Sequence, residues 1–109
     1  MASWASEELR TVKLGDARLE KRLVGMVEAL AAQPTASVPQ AMGERAATRA
    51  AYNFWDSELV EAQAIRAAHR QRTIERIREH RTVLVAQDTT DLRFVRRGSG
   101  DERLGLKVH

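Results

Sequence analysis

The chain has 109 residues, enough for one small domain or for one domain and the start of a second. Hydrophobic residues make up 43% and charged residues 30%, which excludes a disordered chain, and no run of about 18 apolar residues offers a membrane span. The net charge of +3 is uneven: residues 1–59 hold seven Lys or Arg against eight Asp or Glu, and residues 60–109 hold eleven against seven.

Ser3 to Arg10 reads as a short helix, with Ser3 as N-cap and Glu7 and Glu8 near the positive end of the dipole. Leu14-Gly15-Asp16 is a break, and Asp16 caps a second helix reaching about Ala32. Its residues Leu19, Leu23, Met26, Val27 and Leu30 recur at helical period on one face. Pro34 stops it. Ser37 caps a short helical turn, Val38-Pro39-Gln40-Ala41, which Gly43 ends. A further helix follows over Glu44 to Trp55, with Ala47, Ala50, Ala51, Phe54 and Trp55 as its inner face. Asp56-Ser57 marks a turn, and about Val60 to Glu79 forms a long helix rich in Ala and Arg. Leu19, Leu23, Val27, Leu30, Phe54, Trp55 and Ile74 are the expected core.

After His80 the period changes. Thr82 to Gln87 is a continuous apolar run of β-branched type, the signature of a strand buried on both faces. Asp91 to Val95 alternates as an antiparallel partner would, Gly98-Ser99-Gly100 is a turn, and Leu104 to Val108 suits a third strand. The expected fold is therefore mainly α, with a helical domain over 1–80 and an incomplete antiparallel β segment over 81–109. A strand buried on both faces needs neighbours that this layout does not supply, so the chain reads as the front part of a longer protein.

Fifteen of the 18 basic residues are Arg, whose planar fork suits phosphates and guanine edges, and nucleic acid is the natural partner to consider. Arg18, Lys21 and Arg22 form a basic stripe on the second helix. Arg45, Thr48, Arg49 and Tyr52 share a face of the helix that follows Gly43, opposite Ala47, Ala51 and Phe54. Two arginines, a hydroxyl and an aromatic tip placed after a capped turn suit a helix-turn-helix reading head: Arg45 and Arg49 toward base edges or phosphates, Thr48 and Tyr52 toward phosphate. The competing reading of both stripes is a solvated helical face.

His69 and His80 are eleven residues apart, about 16 Å along a helix, too far to share a zinc ion. Asp88 ends the buried-type strand, where a carboxylate helps hold a divalent metal if others join it; an ordinary strand-end cap is the alternative. The lack of cysteine excludes disulfides, and with no signal-peptide pattern at Met1-Ala2-Ser3-Trp4 a cytoplasmic setting is expected.

Several stretches taken in order carry a resemblance. Trp4-Ala5, Glu8-Leu9, Leu14-Gly15-Asp16-Ala17-Arg18-Leu19 and Arg22-Leu23 come first. Ser37-Val38-Pro39-Gln40-Ala41 and Arg49-Ala50-Ala51-Tyr52-Asn53-Phe54-Trp55 follow, then His69-Arg70, Thr73, Arg76 and Val83 to Thr90. Together they resemble bacterial cut-and-paste transposases of the transposon-five type (insertion-sequence-four-like, DDE superfamily). The resemblance implies an N-terminal helical domain that binds the inverted repeats of transposon ends as double-stranded DNA. It also implies a ribonuclease-H-like core in which two Asp and one Glu hold Mg²⁺ or Mn²⁺. Asp88 matches the first Asp, and Leu104 to His109 is similar to the next strand. Asn53 departs from the pattern, standing where many members carry a basic residue.

The second Asp and the Glu would lie beyond residue 109. The expectation is thus a DNA-binding part of a transposase that needs no cofactor and is not an enzyme by itself. The alternatives are a truncated regulator that inhibits transposition, by occupying transposon ends or pairing with full-length transposase, and a helical protein-interaction module.

Overall fold

Side-chain caps start the first three helices. In the computed structural model, which describes residues 3–95, the Ser3 hydroxyl accepts from the Ser6 amide and opens α1 (Trp4–Glu8). Asp16 accepts from the Arg18 amide and opens α2 (Ala17–Ala32). Ser37 and Gln40 exchange hydrogen bonds in a capping box that opens α3 (Val38–Met42). Gly43 ends α3 at φ 84°, and its amide reaches the Pro39 carbonyl at 3.1 Å. A side chain would strain that left-handed turn, so glycine sets the angle at which the chain enters α4 (Arg45–Asp56). A short turn then leads to α5 (Ala62–Arg78).

The helices pack as a small cluster. α2 lies against α1, α3 and α4; α3 also lies against α4; α5 rests on α1. The buried core joins Leu9, Val12 and Leu14, Leu23 and Met26 of α2, Ala51 and Phe54 of α4, and Ala68 of α5. Phe54, only 2% exposed, is the main anchor of α4; such a side chain contributes about 1.5–3 kcal/mol by its burial. Leu19, Val27, Val38, Met42, Val60 and Ile65 pack around its rim.

Several expectations need correcting. The first helix ends at Glu8 rather than Arg10. Leu9, Val12 and Leu14, after it, supply core contacts that no helical period announces. Trp55 does not belong to the core: it is 49% exposed, because one helical step of about 100° turns it away from Phe54 toward the Thr48 side. Leu30 and Ile74 are half-buried and outside the core cluster.

No strand forms among the described residues. Residues 82–95 follow α5 without regular structure, and Val83, Leu84 and Val85 are exposed. An apolar strand is stable only between partners, and none pairs with this stretch among the described residues. The expected turn at Gly98-Ser99-Gly100 and strand at Leu104 to Val108 lie outside the described residues.

Candidate nucleic-acid interface

The turn at Gly43 and the first three turns of α4 enclose an open concavity of about 600 Å³. Its wall is made by Pro39 and Gly43 on one side, and by Arg45, Thr48, Arg49, Tyr52 and Asn53 along α4. Four of these residues, Arg45, Thr48, Arg49 and Tyr52, are the ones the helical period placed on a single face. They stand there because the opposite face, Ala51 and Phe54, is buried against the rest of the cluster.

This face carries two cations and one acid, Arg45, Arg49 and Glu44. Arg45 and Arg49 are exposed, and neither makes an ion pair among the described residues. Unlike α1, α2 and α3, α4 begins without a side-chain cap, and unlike α1 and α2 it has no acidic residue in its first turn. Its leading amides therefore stay open to an outside acceptor, at the positive end of the helix dipole. Glu44, at the N-cap position, is the acidic residue of the concavity wall.

Thr48 plays a narrower part than expected. Its hydroxyl donates 2.9 Å to the Glu44 carbonyl, so it has no proton left for a phosphate oxygen. Tyr52 is half exposed and meets Trp55 edge to face at 5.7 Å and 72°. Spacing alone missed Trp55 and Asn53 as members of this surface. A step of three from Tyr52 to Trp55 is the signal that could have found the pair.

Arg18, Lys21 and Arg22 are exposed on α2. Arg18 lies 3.5 Å from the Asp16 carboxylate, while Lys21 and Arg22 make no ion pair among the described residues. The Asp16 carboxyl is held below the usual range, first by the Arg18 amide hydrogen bond and then by the Arg18 side chain. Asp88 is exposed and belongs to no group of three or more ligating side chains among the described residues. A lone carboxylate does not fit a two-metal clamp, so this stretch by itself assembles no metal site.

A second polar cluster joins α1 to α5. The Glu8 carboxylate receives Arg76, with Nη2 to Oε1 at 2.9 Å, and lies 2.6 Å from His69 Nδ1. Thr73 accepts from Arg76 at 3.2 Å. Glu75 receives Arg10, just past the end of α1, and Arg72 from its own helix, each at 3.0 Å. The Arg76 guanidinium and then His69 hold the Glu8 carboxyl down from 4.5 to about 2, against the opposing effect of its partial burial. His69, Thr73 and Arg76 therefore serve here as a structural seam. The sequence places them on one face of α5, but nothing in it points to Glu8 as their partner.

A short helix, a glycine turn and a second helix whose outer face is cationic define a helical DNA-binding domain of helix-turn-helix-like character. The family model for transposase DNA-binding matches residues 1–60, which contain α1 to α4. The chain belongs to that family and carries its transposase DNA-binding domain. No solved structure matches the chain. Among the described residues no helix is long and apolar enough to cross a membrane.

Proposed function

We propose that this chain grips the inverted repeat at a transposon end through the outer face of α4, as the N-terminal part of a transposase of the DDE, transposon-five-like type. One observation carries the reading: Arg45 and Arg49 border an open concavity, unpaired among the described residues, on a helix whose N-terminus is uncapped. Arginine forks and open amides suit phosphate oxygens, and an arginine that reaches a base edge adds sequence preference. Arg18, Lys21 and Arg22 add phosphate contacts from α2, and Tyr52 donates its hydroxyl at the end of the α4 face.

Asp88 is the first carboxylate of the triad in this reading. It needs the remaining two before Mg²⁺ or Mn²⁺ is held, and residues 81–109 begin the ribonuclease-H-like core that brings them. The 109 residues bind DNA without cleaving it. Pairing with full-length transposase, and a nucleoid location, follow from the same reading.

The test is titration of labelled duplexes selected from a random library, repeated across a range of salt. Tight, steeply salt-dependent binding with a preferred sequence is expected. Affinity that is indifferent to both salt and sequence contradicts the proposal.

A further inference from the structure

We infer that Gly25, midway along α2, is a point where the DNA sugar–phosphate backbone lies directly against this chain. The inference rests on the DNA-binding reading above and adds a position that the basic residues alone do not define.

Glycine inside a helix is disfavoured relative to alanine, so it calls for a local reason. A left-handed turn is not the reason, since the positive-φ glycines are Gly15 and Gly43. Crowding is not the reason either. Gly25 is exposed, and a Cβ built on it meets nothing within 4 Å. Nothing among the described residues requires the side chain to be missing.

Position supplies the reason. Gly25 is seven residues after Arg18, four after Lys21 and three after Arg22, which puts all four on one exposed face of α2. Arg18 lies in the first turn, where the positive end of the dipole disfavours a cation, and Lys21 and Arg22 follow on the same face without an ion pair among the described residues. The nearby acids cancel only part of this charge. Asp16 caps the helix and faces Arg18; Glu20 accepts the Leu14 amide at 2.9 Å; Glu28 is half-buried.

A glycine with no structural reason thus shares a face with cations that lack an anion among the described residues, and one partner satisfies both. A polyanion whose backbone lies flat on the helix uses the three cations and needs the bare glycine beside them. In a chain of the transposase DNA-binding family that polyanion is duplex DNA. An acidic protein is the outcome that the binding test separates.

The experiment uses the full chain with Gly25→Ala and Gly25→Gln. Ala31→Gln serves as the control, exposed and about 120° round the helix from Gly25. Thermal unfolding is measured beside the binding of a labelled random-sequence duplex. Gly25→Ala should raise the melting temperature by about 4 °C, since the helix gains and nothing clashes. Gly25→Gln should keep at least the wild-type melting temperature while lowering DNA affinity roughly tenfold, and Ala31→Gln should leave affinity unchanged. Wild-type affinity in a well-folded Gly25→Gln overturns the inference, whether the face is idle or meets an acidic protein. If Arg45→Ala with Arg49→Ala still abolishes binding in that case, the proposed function stands without it. A wild-type chain with no salt-dependent DNA affinity overturns both.

Discussion

Helices α4 and α5 both carry arginine, and the pair Arg45 and Arg49 of α4 is used in the opposite way to the pair Arg72 and Arg76 of α5. Arg66, Arg70 and Arg78 of α5 stay exposed without an ion pair among the described residues. On α5, Arg72 and Arg76 are turned inward onto Glu75 and Glu8, and the helix is tied to α1 by that seam together with the buried Ala68. On α4, Arg45 and Arg49 meet no carboxylate among the described residues and border a concavity. The apolar anchoring differs as well: α4 is fixed by Phe54 and Ala51, so its polar face is free for a partner. The number of arginines on a helix therefore says little about DNA binding. What matters is whether each guanidinium already has an anion, and whether apolar packing relieves it of a structural duty.

That contrast can be broken at the anchor first. Phe54→Ala should cost about 3–5 kcal/mol, because it empties the core position that holds α4 in place. Chemical denaturation should show it, and a cost below about 1 kcal/mol would mean that α4 is held by something else. Next comes the turn. Gly43→Ala forces a side chain into a left-handed conformation, at a cost of about 1–2 kcal/mol, and swings the start of α4. Its DNA affinity should fall even at temperatures where it stays folded.

The seam gives a smaller and pH-dependent effect. Glu8 has its carboxyl held near 2 in the folded chain against an ordinary 4.5, so folding favours its ionised form. That contribution is fully present above about 4.5 and disappears as pH falls from there toward 2. Glu8→Gln should lower stability at neutral pH and flatten the acid limb of the stability profile. An unchanged acid limb would show that Glu8 is not tied to Arg76 in solution. DNA affinity at neutral pH should hardly change, which distinguishes the seam from the α4 face. The smallest effect belongs to the end of the chain. Val83, Leu84 and Val85 are exposed and add nothing to the core, so a chain ending at His80 should unfold at nearly the same temperature and bind DNA as well.

Local signals were the legible ones. Ser3, Asp16 and Ser37 announce their helices through short-range hydrogen bonds, and the 3.6-residue period puts Arg45, Thr48, Arg49 and Tyr52 on one face. Contacts between distant segments were not legible. Leu9, Val12 and Leu14 enter the core from a segment with no period, and Glu8 meets Arg76 across 68 positions. The sequence reading puts Trp55 on the inner face of the helix beside Phe54, but one further step round the helix makes it a neighbour of Tyr52. The apolar run at Thr82 to Gln87 shows a third limit: composition states a preference for burial, and only partner strands can meet it.

The comparison between the two helices can be measured directly through the salt dependence of DNA binding by two double variants. Arg45→Ala with Arg49→Ala removes the α4 pair; Arg72→Ala with Arg76→Ala removes the α5 pair. Every arginine–phosphate pairing removed should make the plot of log affinity against log salt shallower by about 0.9. The account predicts a shallower slope and weaker binding for the α4 variant, with the wild-type slope retained by the folded α5 variant. A wild-type slope in the α4 variant, together with a shallower one in the α5 variant, would contradict it.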